Sequence, residues 1–249
     1  MICLVTSVGA EESAKEMAPV QAMTAYEQNY DALMENVVNL KTTAYKAFDF
    51  IVATDEKGKL VSRKVTRFTK GNLVETNGKL DVAIEGDGFF VVQAPQGVIY
   101  TRDGRFQLDK DYQLITLVGG YPVLTSAGRV YLEPSTGGSG GSEVAISPHG
   151  AIIQNKITLG NILIATFEDT SVLQRINGSF FRIVGSEKIT GTLKEDVKLK
   201  PGYVEASNVD LSRQLIELPL NSRKYDANSK ALQILRRAQQ TAREMGRVQ

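Results

Sequence analysis

No tryptophan occurs among the 249 residues, and cysteine and histidine occur once each. A single cysteine, Cys3, excludes an intrachain disulfide, so packing alone must hold the fold. A cytosolic chain would look this way, and so would one that crosses a narrow channel unfolded, where a preformed disulfide would block passage. One histidine and one remote cysteine cannot supply the clustered ligands of a zinc site. His149 sits in Ser147-Pro148-His149-Gly150, a turn signature without apolar neighbours, and is expected at the surface rather than as a catalytic base. No metal and no cofactor is expected. An excess of charge is missing as well: 29 Lys and Arg face 28 Asp and Glu, a net +1, so no global field draws the chain to nucleic acid or to an acidic bilayer. Long apolar runs are also absent. Residues 1–10 are apolar but follow no basic residue and fall well short of the roughly 20 needed to span a membrane. They read as an extension, and no direct membrane span is expected.

What is present is unevenly placed. Hydrophobic residues make up 42% and charged residues 23%, enough apolar content to fold rather than stay disordered. Of 22 glycines, all but Gly9 and Gly246 lie between Gly58 and Gly202, which leaves two helix-like ends around a turn-rich middle. In the N-terminal arm Met23, Tyr26, Tyr30, Leu33, Val37 and Leu40 recur at alternating spacings of 3 and 4, a heptad stripe that wants a partner helix. The C-terminal arm is expected to open at Ser207 or Asn208, whose side chains can accept from the first free backbone N–H groups. Leu211, Leu218, Tyr225 and Leu232 follow at sevenfold spacing with Leu215 between them, and a second stripe runs through Ala227, Ala231, Ile234, Ala238, Ala242 and Met245. Two stripes on one helix imply more than one neighbour. Pro219 interrupts them, since it lacks the N–H a helix interior needs; a kink or break is expected there, with a restart capped by Asn221 or Ser222.

Between the arms the period drops to two. Val82, Ile84, Phe90 and Val92 share one face, and Glu85-Gly86-Asp87-Gly88 between them reads as a tight hairpin turn. Strand signals recur at residues 98–101, 106–108, 113–117, 122–124, 130–132, 143–146, 151–153, 161–167 and 179–184, with Thr136 to Ser142 as a flexible loop.

Candidate chemistry is thin. Asp81, Glu85 and Asp87 form the densest acidic group of the β region, and a glycosidase needs two carboxylates; turn and strand-start roles account for the same residues. A β-rich carbohydrate-active enzyme therefore stays open as an alternative, as does a secreted binding module. The loop TGGSGGS lacks the Lys-Ser/Thr and following helix of a phosphate loop. Arg63, Lys64 and Arg67, and late-helix Arg236, Arg237 and Arg243, suit charged faces and a helix C-terminus without invoking nucleic acid.

Four stretches carry a family likeness: Phe68-Thr69-Lys70-Gly71-Asn72-Leu73 with Leu80 through Phe90; Tyr100-Thr101-Arg102-Asp103-Gly104-Arg105-Phe106; Leu159-Gly160 through Phe167; and Gly202-Tyr203-Val204-Glu205-Ala206-Ser207-Asn208-Val209-Asp210, continued by Arg223, Tyr225, Asn228 and Lys230. On these the chain resembles the bacterial flagellar basal-body rod and hook proteins from about residue 20 to its end, most like the distal rod members and next the proximal ones. The N-terminal asparagine-rich signature of that family ends in Thr-Gly-Phe-Lys, where this chain has Thr43-Ala44-Tyr45-Lys46; Pro219 and Arg213 are further departures.

The resemblance implies an α+β fold in which N- and C-terminal helices pack together around a glycine-rich, mainly antiparallel β domain. The expected boundaries are a disordered extension over 1–16, a helical arm over 17–50, a β-rich outer domain over 51–206 and a second arm over 207–249. It implies a structural subunit and not an enzyme, exported from the cytoplasm through the flagellar export apparatus. The subunit would self-assemble as a helical homo-oligomer in the periplasm-spanning rod, beside other rod and hook proteins and the rings around the rod. The residues expected to carry self-assembly are Met23, Tyr26, Tyr30, Leu33, Val37, Leu40, Asn208, Leu211, Leu215, Leu218, Tyr225, Leu232, Ile234 and Ala238.

Overall fold

The computed structural model describes residues 5–56, 60–133, 144–184 and 198–245. Along the chain run α1 (Val5–Val38), β1 (Phe48–Thr54), β2 (Leu60–Thr66), β3 (Leu73–Glu75), β4 (Val82–Ile84), β5 (Phe89–Ala94), β6 (Gly97–Thr101), β7 (Phe106–Leu108), β8 (Leu114–Thr116), β9 (Leu124–Thr125), β10 (Gly128–Arg129), β11 (Val144–Ile146), β12 (Ala151–Gln154), β13 (Ile157–Asn161), β14 (Ile164–Ala165), β15 (Leu173–Asn177), β16 (Phe180–Ile183), β17 (Leu199–Pro201), β18 (Tyr203–Glu205) and α2 (Leu211–Met245). Among the described residues all strand pairs are antiparallel, so the α+β architecture of two terminal helices and an antiparallel β middle is the one observed. Cys3 and the Thr136 to Ser142 loop lie outside the described residues.

The chain divides into two compact units. The first holds residues 1–38, 48–67 and 210–249. In it α1 packs on α2, and the hairpin β1–β2 packs on α1. A boundary at residue 50 puts most of this hairpin in the β domain, but its seven-pair ladder goes with the helices. Its strands escape a sequence reading because charged Asp49, Arg63 and Lys64 interrupt the apolar alternation. The helix α1 begins at Val5, inside the segment expected to be a disordered extension; the run from Val5 to Ala18 is rich in Ala and Glu, good helix formers.

Two expectations for α2 are corrected. The cap is Asp210, whose Oδ1 accepts from the Arg213 N–H at 3.1 Å, and not Ser207 or Asn208. The helix also runs unbroken through Pro219. Pro219 and Leu215 are both exposed, on a side of the helix where water can serve the carbonyl that a proline leaves without its N–H partner, so a break is avoided. Asn221, expected to cap a restart, is buried in the helix pair instead.

The second unit holds residues 39–47 and 68–209. Its main sheet has the order β14-β5-β6-β16-β15, with a three-stranded sheet β11-β12-β13 and shorter pairs beside it. Alternation along β5 divides the interior: Phe90 and Val92 enter one cluster with Val82, Ile84, Phe106, Leu114, Val123 and Ile152. Phe89 and the partly buried Val91 enter another with Tyr100, Leu173 and Phe181. Phe90 meets Phe106 edge to face at 5.1 Å, and truncating so buried a phenylalanine costs about 3–5 kcal/mol.

Val82, Ile84, Phe90 and Val92 do share the core, but Glu85 to Gly88 is not a hairpin between paired strands. The strand β4 pairs with β17 and β5 pairs with β6 and β14, so the four residues switch the chain from one sheet to another. Gly88, at φ +132, supplies the backbone freedom for that switch. The strands β3 and β4 pair with β18 and β17, in registers Leu73↔Glu205 and Val82↔Pro201. The outgoing and returning chain are thereby zipped together.

Candidate functional site

Two arrangements stand out from the packing, one in each unit. In the helical unit, among the described residues, the buried positions of α1 are Ala25, Ala32, Leu33 and Asn36, with Asn29 partly buried; those of α2 are Gln214, Asn221 and Leu232. The contact is small and polar. Asn29 donates its Nδ2 to the Asn221 Oδ1 at 2.8 Å, Asn221 donates to the Tyr26 carbonyl at 2.8 Å, and Asn36 donates to the Gln214 Oε1 at 3.3 Å. Asn36 also exchanges two bonds with the Phe48 backbone, which fixes β1 to α1. Buried amides satisfied only in one alignment set the register of a helix pair at some expense in stability. An apolar-stripe search misses them; their signal is Ala25, Asn29, Ala32 and Asn36 at spacings of 4, 3 and 4, facing Gln214 and Asn221 seven apart.

The expected assembly residues fall accordingly. Leu33 and Leu232 are buried, and Met23, Tyr26, Val37, Leu218 and Tyr225 are partly buried. Tyr26, Tyr30 and Tyr225 line one groove, and Leu33 lines another with Gln214 and Asn221. Leu40 lies beyond the end of α1, in the second unit. Leu211, Leu215, Ile234 and Ala238 stay exposed; Ile216 (68% exposed), Leu220, Ile234 and Ala238 share one side of α2 and leave it an uncovered apolar face, with Leu211 and Leu215 exposed outside that side. On α1, Tyr30, Met34 and Val38 are likewise uncovered.

In the β unit the motif residues converge on one buried carboxylate. Lys46 donates its Nζ to Glu205 Oε1 at 2.5 Å and to the Thr69 carbonyl, and Arg102 donates its Nε to Glu205 Oε2 at 2.8 Å. The Gly71 N–H adds a third bond to Oε1 at 2.8 Å. The remaining Arg102 nitrogens donate to the carbonyls of Gly86, Gly88 and Ile84. Side chains of Lys46, Arg102 and Glu205 are 1%, 4% and 1% exposed. Burial alone would raise the Glu205 carboxyl; Arg102, Lys46 and the Gly71 N–H outweigh it and hold it below the ordinary carboxylate value. A side chain at Gly71 has no room, since its Cβ would lie 2.0 Å from the Ala206 carbonyl oxygen.

Around this cluster the segment 39–47 is tied down. The Ala44 N–H donates to the Glu205 carbonyl at 2.7 Å, Ser179 donates to the Thr43 carbonyl, and Arg175 donates to the Lys46 carbonyl and lies over the Tyr45 ring. Asn208, expected to serve helix assembly, belongs here: its Oδ1 accepts from the Ala47 N–H at 2.6 Å and its Nδ2 donates to the Thr69 carbonyl.

The acidic trio is not a catalytic pair in this arrangement. Asp87 is 90% exposed and ion-paired with Lys70 at 3.1 Å, and Asp81 accepts from the Thr76 hydroxyl at 2.6 Å. His149 is exposed in its turn, its N–H donating to the Ser147 hydroxyl.

Comparison with known proteins follows the same geography. Residues 83–164 match the flagellar hook protein FlgE/F/G D1 domain, and residues 200–245 match the flagellar basal body rod FlgEFG protein C-terminal domain. The flagellar basal-body rod protein FlgG of Borreliella burgdorferi is 30% identical over 248 residues, covering 85% of this chain and 90% of that protein. The flagellar basal-body rod protein FlgF of Caulobacter vibrioides is 28% identical over 218 residues, covering 81% and 85%.

Proposed function

Because this chain belongs to the flagellar basal-body rod protein family, we propose that it builds its part of the rod with the α1–α2 pair, as a subunit of a helical tube. It is a structural protein of the flagellar basal body and not an enzyme, and it assembles with other rod and hook proteins. The carbohydrate-active alternative is set aside on the same ground. Distal placement in the rod is favoured over proximal, supported by the FlgG relative and by the run from Tyr203 to Asp210. In this reading the chain leaves the cytoplasm unfolded through the flagellar export apparatus, the rings around the rod enclose it, and the tube carries motor torque to the hook.

The observation that carries the assembly role is the set of uncovered apolar side chains on α2, Leu215 and the row Ile216, Leu220 and Ile234. The inner face of that helix is already occupied by α1. An amphipathic helix with a second apolar row needs a second neighbour, and a head-to-tail contact that does not close gives a filament. Leu215→Glu combined with Ile216→Glu should abolish concentration-dependent assembly of the full chain, followed by sedimentation, while its circular dichroism stays unchanged. A variant that assembles like the parent sinks the reading.

A further inference from the structure

The two helices carry opposite charge. Over Val5–Val38 there are six acids against Lys15 alone, whereas Leu211–Met245 holds seven basic residues against Glu217, Asp226 and Glu244. Between the helices lies a groove of about 240 Å³ whose walls include Tyr26, Tyr30 and Tyr225, with Glu27 and Asp31 at its rim. Glu27 is hydrogen-bonded to the Tyr225 hydroxyl, which raises the pKa of that phenol. Three tyrosines and two acidic residues in one lining make a receptor for a cation on an apolar stem, combining cation–π attraction with charge pairing. The space is about eight times the roughly 30 Å³ that a water occupies in the liquid, enough to admit a long side chain.

Among the described residues, no lysine or arginine lines the groove. Arg236 and Arg237 are exposed, but they lie 11 and 12 residues beyond Tyr225 on the same helix, about 16 to 18 Å along its axis. Arg223 and Lys224 adjoin Tyr225 in sequence, yet the groove is lined from α2 by Asn221, Ser222 and Tyr225, and Lys224 lines a different cavity.

We propose that the tyrosine groove between α1 and α2 receives Arg236 or Arg237 from the α2 helix of a second copy of this chain. The contact is heterologous, groove of one copy to basic helix of the next, so each copy uses both halves and the series stays open. The idea rests on the assembly reading and assigns it a polar docking point distinct from the apolar row at Ile216. Opposite charge on the two partners sets which helix meets which, while the rings supply the apolar stem contact.

Two full-length chains, each with Cys3→Ser, test it: one with Tyr30→Cys, the other with Arg236→Cys. Mixed under mild oxidant, they should form a disulfide-linked heterodimer in preference to either homodimer. Adding Glu27→Lys and Asp31→Lys to the first chain should slow that cross-link about tenfold, and high salt should slow it similarly. In the otherwise native chain, Arg236→Glu with Arg237→Glu should weaken assembly, and pairing it with Glu27→Lys and Asp31→Lys should restore it. No heterodimer, or one indifferent to charge, overturns the proposal. If assembly then still depends on Leu215 and Ile216, the assembly reading survives without this contact; if the native chain shows no concentration-dependent association, both fall.

Discussion

Glu205 holds two cations and a backbone N–H in a site closed to water, and removing its charge strands both partners. Glu205→Gln should lower stability to urea by about 3–5 kcal/mol near neutral pH, because Lys46 and Arg102 are left buried without a counter-charge. The pH dependence has a defined sign. The folded pKa of Glu205 lies below its unfolded value, so the carboxylate's contribution is complete above the unfolded value and disappears as pH falls through the folded one. The native chain should therefore lose stability in acid more steeply than Glu205→Gln, which is read by comparing urea midpoints across that range. Ala44 illustrates how a family position can change quietly. It sits at φ +56 where the family signature has glycine. Left-handed backbone costs an L-residue about 1–2 kcal/mol. Burial of its methyl returns about 0.8 kcal/mol, and the stiffer unfolded chain about 0.4–1 kcal/mol more. The terms nearly cancel. None of this was visible in the spelling of the motifs: Lys46, Gly71, Arg102 and Glu205 are each quoted in a separate stretch, and only the fold shows that one carboxylate joins them.

At the level of elements, Pro219 is the clearest departure from expectation. The helix tolerates it on its exposed side, where water can serve the carbonyl that lacks its partner, so Pro219→Ala should stabilise the helical unit by about 2 kcal/mol. That figure is the roughly 3 kcal/mol difference in helix propensity less the entropy that proline removes from the unfolded chain. Circular dichroism melts would register it, and an unchanged melt would mean that the helix already bends around the residue without penalty. Periodicity located both helices, and seven-residue spacing on α2 identified Leu218, Tyr225 and Leu232 on its inner side. The phase on α1 was less legible. Tyr30 belongs to the apolar heptad yet is 45% exposed, while Ala25, Asn29, Ala32 and Asn36 make the contact. Helices that approach through small residues and amides leave little hydrophobic signal, since what aligns them is hydrogen bonding. Many strand positions in the middle followed from alternation, but β1, β2, β3, β15, β17 and β18 did not, and neither did the strand partners. The link Glu85 to Gly88 has hairpin chemistry and joins two different sheets, because pairing is decided by residues more than a hundred positions away, at β17.

For the whole molecule, the division into units predicts where it can be cut. Ser207 to Val209 belong with the β unit, and Asn208 supplies bonds to Ala47 and Thr69. A chain ending at Val209 should keep a cooperatively folded β unit. One ending at Ala206 should be less stable by about 2–3 kcal/mol, from two or three lost hydrogen bonds at about 1 kcal/mol each. Urea unfolding of the two truncations decides this; equal midpoints would show that Asn208 is dispensable.

The paired strands β3–β18 and β4–β17 also determine how the β unit bears tension. Of the four places where the chain passes between the units, two, at residues 67–68 and 209–210, lie at the same end of this zipper, next to Leu73 and Glu205. Pulling them apart peels the ladder one rung at a time, the weakest way to load antiparallel strands. The ion cluster sits at that end, where Lys46, in the separate segment 39–47, and Arg102, just past β6, both grip Glu205 at the end of β18. It acts as a rivet at the tip of a tear, so the first rupture in single-molecule stretching should occur there, and Glu205→Gln should lower its force while leaving later ruptures unchanged.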